Sequence, residues 1–172
     1  MTDAEGDTVR RFFHYQHVGI KNLSPVANTE DCIFISCFDP RIQGTILALK
    51  ERLYPSCRLY PVTLPAAIKV LNTQPDYFFS CILDIAIVKL QVRDIVLVTH
   101  LDCKGYGLDL GLEAQVKHHA NELISAYKLL VNQYGGMNIT SICVPSLPES
   151  TEPISEVVVV EGYSTSMYQN LF

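Results

Sequence analysis

Two short segments of the chain carry side chains that could bind a metal ion. The first begins at Cys37, and the second contains His100 and Cys103. A three-residue spacing in a turn lets an imidazole and a thiolate converge on one ion, and Cys37 from a neighbouring strand end could complete the set. Two thiolates and one imidazole suit tetrahedral Zn²⁺ with a fourth position open for water. The alternative is that the cysteines are small core residues and the histidine is a hydrogen-bonded loop residue.

Two charged residues follow Cys37 at intervals of two, Asp39 and then Arg41. Alternate residues of an extended strand end face the same side, so a thiolate, a carboxylate and a guanidinium could address one ion. An arginine paired with a carboxylate keeps the carboxylate ionised and oriented. That arrangement puts a hydrogen-bond acceptor beside a metal-bound water. The pattern therefore favours a catalytic metal site.

Apolar runs and helical periodicity predict the elements that position these segments. The runs Cys32 to Cys37 and Ile95 to Thr99 indicate strands buried on both faces of a parallel sheet. Each run precedes one of the two segments, and ligands bind at the carboxyl ends of such strands. Further strands are expected at Arg58 to Leu64 (an edge strand, because of Pro61), Ile139 to Val144 and Glu156 to Val160, and helices at Thr8 to Gln16, Ile42 to Tyr54, Tyr77 to Val92 and Leu112 to Tyr134.

The alternation of strands and helices predicts an α/β fold, with a mostly parallel sheet of about four to five strands flanked by helices. Residues 1–30 form a polar N-terminal arm, and residues 31–172 form a single α/β zinc-binding domain. The chain has 172 residues and is 48% hydrophobic. It can therefore bury a core without disulfides, and it is too apolar to be intrinsically disordered.

Charge and hydropathy exclude several classes of function. The net charge of −5, without any large basic cluster, argues against nucleic acid as a partner. No apolar stretch approaches the ~18 residues of a membrane span. The polar, acidic N-terminus lacks the apolar region of a secretory signal, so a cytoplasmic location is expected. Only 18% of the residues are charged, below the ~25% of typical soluble domains, which indicates apolar surface covered by a second copy of the chain.

The combined motifs, Cys-x-Asp-x-Arg after one strand and His-x-x-Cys after a later one, resemble the β-class carbonic anhydrases. Cys37, His100 and Cys103 match that family's zinc ligands, and Asp39 and Arg41 match its catalytic dyad. The similarity covers roughly residues 32–160, of which only the two motifs are specific. It implies a β-carbonic-anhydrase-like fold, one Zn²⁺ per chain, and reversible hydration of carbon dioxide to bicarbonate through a metal-bound hydroxide. It also implies a homodimer or higher homo-oligomer.

The departures from the family pattern indicate a divergent, compact member. Pro40 stands where the family usually has serine, and Lys104 where it has glycine. The arginine-asparagine-alanine-glycine segment of the second strand is absent. The position of a substrate-orienting glutamine falls on Asn28, a shorter amide and the candidate substrate-binding residue. Two alternatives follow: a zinc-binding pseudoenzyme, or a hydrolase of the similar linear molecules carbon disulfide and carbonyl sulfide.

The remaining residues of metal-binding type are interpreted structurally. Asp102 is expected to form hydrogen bonds in the turn. The adjacent His118 and His119 point about 100° apart on a helix, so they cannot easily share one metal ion. They are expected to be solvated. Core positions are expected for the other cysteines, Cys32, Cys57, Cys81 and Cys143, and surface positions for His14 and His17. The arm that contains Phe12, Phe13 and Tyr15 is expected to be either a strap across a dimer or a flexible tail.

Overall fold

A mixed β-sheet forms the centre of the protein in the computed structural model, which describes residues 13–26, 29–145 and 156–162. Within these residues the sheet has six strands, in the order β1-β6-β5-β4-β2-β3. The strands are β1 (Phe13–Gly19), β2 (Asp31–Cys37), β3 (Arg58–Leu64), β4 (Asp94–His100), β5 (Asn138–Val144) and β6 (Glu156–Gly162). Strands β2 to β5 run parallel, whereas β6 pairs antiparallel with both β5 and β1. The predicted α/β class is confirmed, with more strands than the expected four to five.

Helices cover both faces of this sheet. They are α1 (Pro40–Leu53), α2 (Ala67–Thr73), α3 (Pro75–Phe78), which continues into two π-helical segments (Phe79–Leu83 and Ile85–Lys89), and α4 (Leu112–Tyr134). Among the described residues, no helix is long and apolar enough to cross a membrane.

The central strands β2 and β4 contribute to two core layers. Ile33 and Ile35 of β2 pack with α2, the π-helical segments and α4, whereas Phe34 packs with α1 on the opposite face. Successive residues of a strand point to opposite faces, so a strand covered on both sides must be apolar throughout. This explains why the whole run Cys32 to Cys37 is buried. Strand β3, which contains Pro61, lies at an edge of the sheet, where the missing N–H of a proline is tolerated.

The N-terminal helix expected at Thr8 to Gln16 is absent from the part of this range that the structure describes. Residues from Phe13 onward form β1, which pairs along its whole length with β6; residues 8–12 lie outside the described part. Without a partner on that side, β6 would leave a row of backbone donors and acceptors unpaired. Long-range pairing therefore overrides the local helical pattern.

The helix expected at Tyr77 to Val92 is present in part, with a different buried face. Its predicted stripe included Ile82 and Ile85, yet Ile85 is exposed while Leu83 and Ile87 are fully buried. The π-helical segments have wider turns than an α-helix, which moves the apolar stripe to a spacing of four residues. Cys81, expected in the core, is exposed for the same reason.

Helix α2 was not predicted by the sequence pattern. It begins after Ala66, which adopts a left-handed backbone conformation with φ of +47°. Glycine or asparagine usually occupies such positions, so an alanine gives no local signal of the turn. The turn brings the start of α2 to the carboxyl edge of the sheet, beside β2 and β4.

Candidate metal centre

Two neighbouring strands end at the same edge of the sheet and bring three metal-binding side chains together. Cys37 is the last residue of β2, His100 is the last residue of β4, and Cys103 lies in the turn that follows. All three residues are buried, and one ligand atom from each lies within 4.8 Å of the other two. The convergence follows from the parallel pairing of β2 with β4.

The geometry of this cluster fits a tetrahedral zinc ion. The Sγ atoms of Cys37 and Cys103 are 3.8 Å apart. A tetrahedral site with Zn–S bonds of about 2.3 Å has an S···S edge of about 3.8 Å. His100 Nδ1 lies 2.9 Å from the carbonyl oxygen of Leu101, which only accepts hydrogen bonds, so Nδ1 is the protonated nitrogen. Nε2, buried with no partner among the described residues, is left as a metal ligand.

Hydrogen bonds favour a thiolate at Cys37. The largest cause of the lowered pKa of Cys37 is the hydrogen bond from the Cys103 thiol; burial raises this pKa, and the backbone N–H of Ala66 lowers it further. The pKa of Cys103 is raised by the same contact and by burial. Of the two thiols, Cys103 therefore holds its proton more tightly and donates it to Cys37 in the hydrogen bond. Thiolates are the metal-binding form, so a metal would displace that proton.

Asp39 and Arg41 form a tightly paired dyad at the start of α1. Asp39 is the N-cap of this helix and accepts a hydrogen bond of 2.9 Å from the backbone N–H of Arg41. The Arg41 side chain donates from Nε to Oδ1 at 3.0 Å and from Nη2 to Oδ2 at 2.6 Å. These side-chain hydrogen bonds are the main reason that the pKa of Asp39 is lowered to about 2. The carboxylate is consequently ionised, and able to accept hydrogen bonds, at neutral pH.

Two glutamines stabilise the loops that carry these residues. Gln43 donates to the carbonyl oxygens of Cys37 and Asp39 at 3.1 and 3.2 Å. Gln115 accepts from the backbone N–H of Asp102 at 2.9 Å and donates to the carbonyl oxygen of Leu110 at 2.8 Å. Each glutamine is the fourth residue of the helix that follows its loop. Neither glutamine was predicted to belong to the site, and their shared position in the following helix is the signal that could have identified them.

A cavity of about 360 Å³ opens beside the metal-binding cluster. Its lining includes Cys37, Cys103, Asp39 and Arg41, and apolar side chains contribute Phe38, Pro40 and Pro65. The two cysteines and the dyad therefore face one space that is large enough for a small substrate. Asn28, the expected substrate-binding residue, lies outside the described residues.

The turn after Cys103 differs from the family pattern and still permits close packing. Lys104, in place of the usual glycine, is exposed, and its Nζ lies 3.0 Å from Asp102 Oδ1. The next residue, Gly105, packs against Ala66 so closely that a Cβ at Gly105 would lie 2.8 Å from the Ala66 Cβ. The position that must lack a side chain is therefore Gly105, one residue after Lys104.

The other candidates have mixed outcomes. Cys32, Cys57 and Cys143 are buried as expected. His119 is wrongly predicted as solvated: it is fully buried, its ring centroid lies 4.7 Å from that of Tyr106, and burial lowers its pKa to about 4. The apolar face of α4 extends to this position because the turn carrying Tyr106 covers it. Phe12 and the side chains of Phe13, His14, Tyr15 and His17 lie outside what is described.

Asp102 has the contact that was expected and a further one. It lies in the turn after β4, as predicted, with φ of +52°. Its Oδ1 accepts a hydrogen bond from Lys104 Nζ in the same turn at 3.0 Å, and its Oδ2 also pairs with Arg41 Nη1 at 3.3 Å. It is not one of the three residues of the metal-binding cluster.

Comparisons with known proteins find structural neighbours at low sequence identity. No protein family model matches the chain, and no curated protein matches it. Similar solved structures include β-carbonic anhydrase isoform I from the protozoan Trichomonas vaginalis, with 12% identity, 83% of this chain and 90% of that chain covered, and a TM-score of 0.48. Another is a mutant of the β-carbonic anhydrase CafD of the filamentous fungus Aspergillus fumigatus, with 13% identity, coverage of 85% and 98%, and a TM-score of 0.45. The chain resembles β-carbonic anhydrases in these comparisons and in its two motifs.

Proposed function

We propose that the protein is a zinc-dependent carbonic anhydrase that converts carbon dioxide reversibly to bicarbonate. The observation that supports this most directly is the buried cluster of Cys37, His100 and Cys103 beside the ionised dyad of Asp39 and Arg41, all at one edge of the sheet. We further propose one zinc ion per chain, a homodimer or higher homo-oligomer, and a cytoplasmic location.

The residues of the site have distinct roles in this proposal. Zinc bound by the two cysteines and the histidine would lower the pKa of a bound water toward about 7 and so supply a nucleophile at neutral pH. The ionised Asp39 carboxylate would accept a hydrogen bond from that nucleophile and orient it toward the carbon of the substrate. Arg41 keeps Asp39 ionised and fixed in direction. Phe38 and Pro65 give the cavity an apolar wall for a small, uncharged molecule.

Metal binding is tested with a matched pair of cysteine variants. The purified wild type is expected to contain one zinc per chain, Cys37→Ser to contain little, and Cys81→Ser, changed at an exposed cysteine away from the site, to keep it. Free zinc at about a hundred times its dissociation constant should stabilise the fold by about 2.7 kcal/mol. That corresponds to a rise of roughly 5–10 °C in the melting temperature. Equal zinc contents in both variants would contradict the proposed ligand set.

Catalysis is tested on zinc-loaded protein by stopped-flow measurement of carbon dioxide hydration. Asp39→Ala is expected to lose about 10²-fold or more in kcat, because the attacking oxygen loses its acceptor. Asp109→Asn, which removes an exposed carboxylate of the loop after β4, should retain full activity. A zinc-loaded wild type that is inactive even at alkaline pH would contradict the enzymatic proposal and favour a pseudoenzyme. Turnover of carbon disulfide or carbonyl sulfide by the same sample would instead identify a different linear substrate.

A further inference from the structure

Arg41 is held along two edges of its guanidinium group. The edge formed by Nε and Nη2 pairs with Asp39 at 3.0 and 2.6 Å. The edge formed by Nη1 and Nη2 faces Asp102, at 3.3 Å from Oδ2 and 3.4 Å from the backbone carbonyl oxygen. Because the guanidinium is planar and rigid, contacts along both edges fix its rotation as well as its position.

Asp102 is itself fixed by neighbours on both sides. Its backbone N–H donates to Gln115 at 2.9 Å, which holds the left-handed backbone conformation in place. Its Oδ1 pairs with Lys104 Nζ at 3.0 Å, so each carboxylate oxygen has a cationic partner. Two cations and two carboxylates therefore alternate in a chain beside the cavity, in the order Asp39, Arg41, Asp102 and Lys104.

The exposure and location of these ion pairs indicate that they position Arg41 rather than stabilise the fold. The side chains of Asp102 and Lys104 are 54% and 83% exposed, and exposed ion pairs add little to folding free energy. Asp102 lies between His100 and Cys103 in the chain, whereas Arg41 lies at the start of α1, just after the strand that ends at Cys37. The contact therefore connects the turn that holds two of the proposed ligands to the dyad on the other strand end.

We propose that Asp102 is a positioning residue, which holds the guanidinium of Arg41 in the orientation that directs the Asp39 carboxylate into the cavity. Lys104, the residue that replaces the family's glycine, keeps Asp102 in place. The orientation of Arg41 is a property of the chain itself, and only its catalytic consequence rests on the proposed function.

The orientation of Arg41 is measured by NMR on ¹⁵N-labelled, zinc-loaded protein. Its guanidinium signals are assigned by their loss in Arg41→Lys, and the rate of rotation is read from exchange between the Nη signals. Asp102→Asn is the main variant, because asparagine tolerates a left-handed backbone and has nearly the same size. Asp102→Gly, which also tolerates this backbone, is the second variant in case the first does not fold. Asp109→Asn removes the same charge elsewhere in the loop and is the control.

In Asp102→Asn the Arg41 signals are expected to exchange several-fold faster, kcat to fall by about tenfold, and KM, zinc content and melting temperature to stay unchanged. Asp109→Asn should match the wild type in every measurement. Unchanged Arg41 exchange in both Asp102 variants would overturn the inference, as would a loss of zinc or of folding that accompanies the slower catalysis. Faster Arg41 exchange in a protein whose wild type does not hydrate carbon dioxide would support the positioning role and contradict the proposed function.

Discussion

The dyad shows how much of the site is encoded locally. Asp39 is the N-cap of α1, so the start of the helix orients its carboxylate toward the backbone N–H of Arg41. The side chain of Arg41 then closes over the same carboxylate. A spacing of two residues at a strand-to-helix turn is enough to predict that the two side chains pair, because the hydrogen bonds between them join residues close in the chain.

The ionisation of Asp39 gives a prediction at this scale. Replacing Arg41 by alanine removes the main cause of its lowered pKa, so the pKa of Asp39 should rise from about 2 toward the ordinary value of about 3.9. In the wild type the folded-state pKa lies below the unfolded one. The dyad's contribution to stability is therefore complete above about pH 4 and is lost as the pH falls through about 2. Carboxyl ¹³C NMR titration measures the shift directly.

Arg58→Ala is the control for this titration. Arg58 pairs with Asp31 at the opposite end of β2, so its removal should leave the pKa of Asp39 unchanged. If Arg41→Ala also leaves that pKa near 2, the dyad is not what ionises Asp39.

Two side-chain contacts between distant parts of the chain were not predictable from the sequence. Arg41 and Asp102 are far apart in sequence, and neither motif indicates that their charges meet. The burial of His119 likewise depends on the turn that carries Tyr106. By contrast, the convergence of Cys37 with His100 and Cys103 was predictable, since parallel strands end at one edge of a sheet.

At the scale of elements, local periodicity predicts a helix and misplaces its buried face. The two π-helical segments put Leu83 in the core and leave Ile85 56% exposed, whereas a regular α-helical stripe would bury Ile85. Leu83→Ala should therefore lower the free energy of unfolding by about 2–5 kcal/mol. Ile85→Ala should change it by no more than about 0.5 kcal/mol. Urea denaturation of both variants decides the matter, and a larger cost for Ile85→Ala would favour the α-helical stripe.

The approach of two turns at the metal-binding cluster gives a second prediction at this scale. A methyl group at Gly105 would lie 2.8 Å from the Ala66 Cβ and 3.1 Å from its backbone nitrogen. Gly105→Ala must therefore move the turn before α2, whose N–H supports the Cys37 thiolate. We expect a loss of about 1–3 kcal/mol in stability, from urea denaturation, and weaker zinc binding by chelator competition.

Gly111→Ala is the matched control, because a Cβ there has no heavy atom within 4 Å among the described residues and the backbone is extended. It changes only a helix N-cap, at a cost of at most about 1 kcal/mol. A Gly105→Ala protein with wild-type stability and zinc affinity would show that the two turns can separate without consequence.

At the scale of the whole molecule, the order of the elements predicts the parallel part of the sheet but not the antiparallel edge formed by β6 and β1. Alternating strands and helices lead to the parallel arrangement of β2 to β5, because such connections require crossovers. The pairing of β6 with β1 joins residues near the two ends of the described chain, and no local pattern specifies it. This is why six strands were found where fewer were expected.

The low charge of the chain gives the last prediction, which concerns its assembly. Phe38, Leu110 and Leu112 are exposed, and all belong to the segments that follow β2 and β4 at the edge that carries the metal-binding cluster. Exposed apolar side chains gathered beside a site indicate a contact surface, and a second copy of the chain is the simplest partner. We expect a homodimer or a higher homo-oligomer by sedimentation velocity at micromolar concentration. Phe38→Asp should shift it toward monomer, whereas Ile85→Asp, on a different surface, should not. A wild type that sediments as a monomer would contradict this expectation, and equal dissociation by both variants would place the contact elsewhere.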